Sequence, residues 1–133
     1  MFTKIDHLGV AVTDLDAALA LYEGSLGLLV HHREVIEEQG VEAVALRIGE
    51  TNIELLRPTR DDSPIARFLA DKGPGIHHIA YSVDDIEAAL SHLKDQGVRL
   101  VDATPRIGLA GSKIAFVHPK STFGVLSELV QRG

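Results

Sequence analysis

The sequence contains no cysteine, no tryptophan, one methionine and no apolar run long enough to cross a membrane. Without cysteine, a disulfide framework, a thiolate zinc site and a cysteine nucleophile are excluded. The amino terminus lacks the apolar stretch of a signal peptide, so we expect a cytoplasmic protein. Basic residues are few and scattered, and the net charge is −6, so nucleic acid and an anionic membrane are poor partners.

An internal repeat divides the chain into two halves. Of the 133 residues, 45% are hydrophobic, which suffices for the core of a single domain. The segment 7–19 (HLGVAVTDLDAAL) aligns without gaps with 78–90 (HIAYSVDDIEAAL). In both copies a β-favouring run ends at an aspartate corner, and apolar residues then recur at helical spacing. Each half is therefore predicted to open with a strand followed by a helix.

Turn residues and alternating patterns extend each half to a βαβββ module. In the first half, the later strands are predicted at 28–36, 41–48 and 52–56. In the second half, a strand over 76–83 and a helix over 85–96 precede strands near 99–102, 113–117 and 124–131. Module one covers about 1–58, a linker helix about 62–73 and module two about 75–133. The predicted fold is α+β, with the two modules forming a curved, half-open eight-stranded sheet.

Each half carries one histidine on a face lined by small residues. Strand alternation places His7 on the same face as Gly9 and Ala11. His78 shares its face with Ala80 and Ser82 in the same way. Small neighbours leave space beside a histidine, so this face is predicted to enclose a ligand site.

Each half also ends with a glutamate inside an apolar run, Glu54 and Glu128. A glutamate in such a position is costly to bury without a partner. Together with His7 and His78, the two glutamates have the composition of a metal site that suits Zn, Co, Ni, Mn or Fe(II). The sheet is therefore predicted to curve around a metal site.

The two halves, this ligand pattern and the segment 111–122 (GSKIAFVHPKST) together resemble the vicinal oxygen chelate superfamily and, within it, the methylmalonyl-CoA epimerases. The resemblance runs nearly end to end, and its most specific part is KIAFVHPK leading to GVLSEL. It implies that His7, Glu54, His78 and Glu128 hold one divalent ion, cobalt or else zinc, nickel or manganese. It also implies a homodimer with a site within each chain.

The resemblance further implies an acyl-CoA substrate, methylmalonyl-CoA, whose two C2 epimers are interconverted. Glu38 would remove the proton between the thioester and the carboxylate, and Glu128, or a water near it, would serve the opposite face. The metal would neutralise the enolate oxygen as charge develops there. No redox cofactor is needed.

Other activities on the same fold stay open at this stage. Glyoxalase I, a lactoylglutathione lyase, also uses a His-Glu-His-Glu ligand set, but it typically has an Asp-Pro-Asp-Gly type turn where this chain has HPKSTFG over 118–124. A metal-free small-molecule binding protein would lose the ligands, and all four are present. An extradiol dioxygenase needs open positions on a two-histidine, one-carboxylate iron site. The epimerase is therefore favoured.

Overall fold

The structure is a computed structural model that describes all residues, 1–133. Its elements are β1 (Phe2–Ala11), α1 (Leu15–Leu19), β2 (Leu29–Ile36), β3 (Val41–Ile48), β4 (Thr51–Pro58), α2 (Pro64–Lys72), β5 (Gly75–Val83), α3 (Ile86–Asp95), β6 (Arg106–Ile107), β7 (Lys113–Val117) and β8 (Ser127–Gln131). A π-helical segment, Ala20–Ser25, continues α1. None of the helices has the length and apolar character needed to cross a membrane.

The helices begin where their capping residues predict. The Asp14 carboxylate accepts a hydrogen bond from the Ala17 amide at 3.0 Å and starts α1. In the second copy of the repeat, Asp85 caps α3 by accepting from the Ala88 amide at the same distance. Such side chains satisfy amides that have no partner in the first helical turn. The aspartate corner of the repeat therefore fixes the start of both helices.

Hydrogen-bonded strands follow the order β2-β3-β4-β1-β5-β8-β7-β6 in an eight-stranded mixed sheet. β1 pairs with β4 and β5 pairs with β8 in parallel, whereas β2–β3, β3–β4, β6–β7 and β7–β8 are antiparallel. The parallel pairs follow from the helix inserted after the first strand of each half, because parallel strands need a crossover connection. The eight strands and three helices confirm the predicted α+β class.

Contacts divide the chain into two compact units. The amino-terminal unit is His7–His77, and the carboxy-terminal unit combines Met1–Asp6 with His78–Gly133. Each unit packs its helix against one face of its strands. The core of the amino-terminal unit contains Val12, Leu15, Val44, Leu46 and Leu55. The core of the carboxy-terminal unit contains Val83, Ile86, Ala89, Leu90, Ala115, Val117 and Leu129.

The predicted strand near 99–102 is wrong. Leu100 forms only an isolated bridge with Val117, and the strand next to β7 is Arg106–Ile107 instead. The Asp102 carboxylate accepts the amide hydrogen of Phe116 at 2.9 Å. A side chain therefore takes the place of a backbone acceptor in the ladder, as short polar residues do.

The last strand starts three residues later than predicted, at Ser127 instead of 124. Phe123 and Gly124 adopt positive φ angles of 57° and 92°, and the Gly124 amide donates to the Pro119 carbonyl. This turn conformation is incompatible with an extended strand.

Candidate metal centre

In the amino-terminal unit the structure brings His7 and Glu54 together. The parallel register of β1 and β4 places Gly9 beside Glu54. His7 Nδ1 and Glu54 Oε2 lie 3.1 Å apart, and the two side chains are only 4% and 6% exposed. The carboxylate is therefore buried beside an imidazole, between the apolar side chains of Ile53 and Leu55 in the sequence.

Small residues surround Glu54 on its face of the sheet. Across the β3–β4 ladder Ala45 is the partner of Glu54, and Ala43 is the partner of Leu56. In β1 the partner of Glu54 is a glycine, Gly9. Because neighbouring strands are about 4.8 Å apart, these short side chains leave open space beside the carboxylate.

The carboxy-terminal unit contains the equivalent pair, His78 and Glu128. The parallel register of β5 and β8 places Ala80, which is fully buried, beside Glu128. His78 Nε2 and Glu128 Oε1 lie 3.9 Å apart, and both side chains are 5% exposed. The ring of Phe116 meets His78 edge-on, with 5.5 Å between the ring centroids. The second pair is thus as deeply buried as the first.

The atoms of each pair have the spacing expected of two ligands on one divalent ion. Bonds from zinc to imidazole nitrogen and carboxylate oxygen are about 2.0–2.2 Å long, so two ligand atoms on the same ion lie between about 2.9 and about 4.3 Å apart. The separations of 3.1 Å and 3.9 Å both fall in this range. Imidazole and carboxylate are also donors that divalent transition metals accept. Each pair therefore fits a metal ion.

Glu38 lies in neither buried pair. It belongs to the short 3₁₀ turn Glu37–Gln39 between β2 and β3, and its side chain is exposed. Arg60 holds the backbone of this turn, because its guanidinium donates to the carbonyls of Glu37 and Glu38, the latter at 3.1 Å. Gly40 ends the turn at a φ of 64°, where an added Cβ would lie 2.9 Å from the Arg60 side chain. The backbone that carries Glu38 is therefore fixed, while its carboxylate faces solvent.

The neighbouring acid Glu42 is engaged elsewhere. It is one residue from Ala43 in β3 and so points to the opposite face from Glu54. Arg57 donates to it at 2.7 Å and Arg33 at 2.9 Å. Hydrogen bonds from Arg57 and then Arg33 lower the pKa of Glu42. These residues line an open cleft of about 570 Å³ near the start of α1, a cleft whose ionic groups are largely paired with one another.

His77, which precedes His78 in the sequence, is half-buried and packs edge-on against Phe68, with 5.0 Å between the ring centroids. Burial lowers the pKa of His77 to about 4, and the positive charge of Lys72 contributes to the shift. His77 is therefore neutral at pH 7, and its contact with Phe68 indicates a structural residue.

Two residues that support the site escape recognition in the sequence. Asp6, next to His7, is 3% exposed and accepts hydrogen bonds from Arg132 and Ser82. Arg106 stacks over Phe116, the ring that contacts His78. In the sequence, the only indication for Asp6 is that it precedes His7, a proposed ligand. Its arginine partner is 126 positions away, and no local pattern links the two.

Comparison with known proteins gives consistent results over the whole chain. A sequence profile of the Glyoxalase/Bleomycin resistance protein/Dioxygenase superfamily matches residues 6–116. The chain is 42% identical to the ethylmalonyl-CoA/methylmalonyl-CoA epimerase of Cereibacter sphaeroides, covering 98% of this chain and 99% of that protein. It is also 42% identical to the mitochondrial methylmalonyl-CoA epimerase of Homo sapiens, covering 96% and 73%.

A solved structure of a methylmalonyl-CoA epimerase in complex with methylmalonyl-CoA and NH4+ superimposes with a TM-score of 0.96. The sequence identity to that protein is 44%, and the match covers 100% of this chain and 96% of that one. At this identity the likeness extends beyond the fold to the sequence of the whole chain.

Proposed function

Because the chain belongs to the methylmalonyl-CoA epimerase family of the Glyoxalase/Bleomycin resistance protein/Dioxygenase superfamily, we propose that it interconverts the (R) and (S) epimers of methylmalonyl-CoA. Similarity to epimerases over nearly the full chain supports this activity. The observation that carries it is the presence of two buried histidine–glutamate pairs, His7 with Glu54 and His78 with Glu128.

A divalent ion is part of the proposal. His7, Glu54, His78 and Glu128 would hold it, with cobalt, zinc, nickel and manganese as the candidates. Two buried carboxylates carry negative charge that is costly to bury without compensating positive charge. When bound, the ion supplies positive charge that stabilises the enolate oxygen of the substrate.

Two carboxylates of the chain would exchange the proton at C2. This carbon lies between a thioester and a carboxylate, so removing its proton gives an enolate, and returning a proton to the opposite face inverts the centre. Inversion needs an acid–base group on each face. We assign Glu38 to one face and Glu128, or a water that it holds, to the other.

The fixed turn supports the assignment of Glu38, because Arg60 restrains its backbone while its carboxylate remains free to reach a bound substrate. The position of Glu128 supports its role, because its carboxylate is buried beside His78 in the proposed site. We further propose that the active form is a homodimer with a complete site in each chain, which analytical ultracentrifugation tests.

The test is proton NMR of the metal-loaded protein with a single epimer of methylmalonyl-CoA in deuterium oxide. We expect the C2 proton to exchange for deuterium while the stereochemical purity is lost, and we expect a chelator to stop both. The hemithioacetal of methylglyoxal and glutathione is run in parallel. Formation of lactoylglutathione without C2 exchange would assign a glyoxalase activity instead, and inactivity on both substrates would point to a binding protein.

A further inference from the structure

A half-buried arginine shares the sheet face of Glu128 in the carboxy-terminal unit. The antiparallel register pairs Arg106 with Ile114 and Phe116 with Glu128. Ile114 and Phe116 are two residues apart, so they point to the same side of β7. Arg106, Phe116 and Glu128 therefore lie on one face, and His78 contacts Glu128 there.

The Phe116 ring connects Arg106 to His78. The guanidinium carbon of Arg106 lies 5.8 Å from the centroid of this ring, within the range of an attractive cation–π contact. His78 contacts the same ring at 5.5 Å between centroids. A fixed positive charge thus stands one aromatic ring away from a proposed metal ligand.

Asp102 orients Arg106 through one edge of its guanidinium. Asp102 Oδ1 lies 3.1 Å from Arg106 Nε, and Asp102 Oδ2 accepts a hydrogen bond from Arg106 Nη2 at 3.3 Å. The same Oδ2 atom accepts the amide hydrogen of Phe116 at 2.9 Å, which anchors the carboxylate to β7. The Arg106 side chain is 37% exposed, and Asp102 contacts it through Nε and Nη2. The exposed part of the guanidinium is accessible to a ligand.

A guanidinium held in this way suits a carboxylate, because its planar donors match carboxylate oxygens. The proposed substrate has a free carboxylate on the reacting carbon, whereas the CoA phosphates lie at the far end of the long pantetheine arm. A cation close to His78 and Glu128 is placed for the acyl end of the molecule. We propose, building on the proposed function, that Arg106 recognises the free carboxylate of the acyl group and that Asp102 is its positioning residue.

The experiment compares R106Q with the wild-type protein, both metal-loaded. For R106Q we expect the KM for methylmalonyl-CoA to rise about tenfold to a hundredfold, the size of effect expected for losing a hydrogen bond to a charged group. R99Q is the matched control, because Arg99 is an exposed arginine of the same unit and the same charge is removed. R99Q should keep the wild-type KM.

Propionyl-CoA lacks the free carboxylate but keeps the CoA phosphates. Its binding therefore distinguishes the two anionic groups that Arg106 could contact. By isothermal titration calorimetry, R106Q should bind propionyl-CoA as tightly as the wild-type protein does. An equal loss of affinity for propionyl-CoA would place Arg106 at a CoA phosphate and overturn the proposal. D102N should also raise the KM for methylmalonyl-CoA, by a smaller factor, and leave propionyl-CoA binding unchanged.

Separate controls distinguish a folding defect from a loss of substrate recognition. R106K keeps the charge and the contact with Phe116 but lacks the planar fork, so we expect an intermediate KM even where R106Q is unstable. A wild-type KM in both R106Q and R106K would refute the role of Arg106 while leaving the epimerase proposal intact. Failure of the wild-type protein to exchange the C2 proton would instead refute the proposed function.

Discussion

The guanidinium of Arg132, the penultimate residue, donates two hydrogen bonds of 3.0 and 2.7 Å to the carboxylate of Asp6. Ser82 donates a third, at 3.2 Å, to the same carboxylate. Within the carboxy-terminal unit, these contacts join β1 and β5 to the residue that directly follows β8. Because Asp6 directly precedes His7, the contacts also hold in place the backbone next to a proposed metal ligand.

Removal of the Arg132 guanidinium should destabilise the protein. In R132Q the buried Asp6 carboxylate, 4% exposed, loses the guanidinium that lies 2.7 Å from it. Breaking a buried pair from one side costs about 3–5 kcal/mol, and the partial exposure of Arg132 reduces this to about 2 kcal/mol. Chemical denaturation at pH 7 measures the change. K113Q is the control, because Lys113 pairs with the exposed Glu87 and should contribute under about 0.5 kcal/mol. Equal unfolding free energies for R132Q and K113Q would contradict the prediction.

Removal of one imidazole should abolish stoichiometric metal binding. H78A deletes a buried candidate ligand, whereas H92A removes an exposed histidine of α3 and serves as its control. We expect about one ion per chain in the wild-type protein and in H92A after dialysis, and none in H78A, measured by inductively coupled plasma mass spectrometry. A chelator should lower the melting temperature of the first two proteins, because an ion that binds only the folded state stabilises it. Full metal content in H78A would remove His78 from the ligand set.

The parts of the fold that the sequence predicts well are those set by local chemistry. Asp14 and Asp85 each cap a helix, and both lie at the same point of the repeat, so periodicity and capping agree. The strand near 99–102 fails because Asp102 binds the amide of Phe116, a contact that depends on a residue 14 positions away. Periodicity describes how a segment packs, and it carries no information on which distant group completes a ladder.

In the candidate site, too, the sequence predicts some residues, whereas others depend on distant contacts. The repeat singles out His7 and His78 because duplicated positions of one residue type stand out in a single sequence. Arg106 has no such signal in the sequence, since its proposed role rests on its contacts with Phe116 and Asp102. Residues of this kind can be identified only once the tertiary contacts are known.

Replacement of the Glu38 carboxylate should suppress turnover and spare metal binding. E38Q keeps the size of the side chain and removes the proposed base, so we expect a fall in kcat of about a hundredfold to ten-thousandfold, the usual contribution of general acid–base catalysis. E37Q, which alters the adjacent exposed glutamate of the same turn, is the control and should keep its activity. Both variants should retain a full complement of metal. Full activity in E38Q would remove Glu38 as the base.

The loss of unfolding free energy at acidic pH should depend in part on Glu42. Arg57 and Arg33 lower its pKa below the ordinary value of 4.5, so the folded state favours the charged carboxylate. The stabilisation is therefore fully present above about pH 4.5 and is lost as the pH falls through the lower folded-state pKa. Because both arginines are partly exposed, we expect E42Q to cost about 1 kcal/mol at pH 7. Denaturation from pH 7 to pH 3 should show the gap between the wild-type protein and E42Q closing below pH 4.5, whereas E23Q, an exposed control, should follow the wild-type curve. A gap that widened in acid would show that the two arginines do not stabilise the charged form of Glu42.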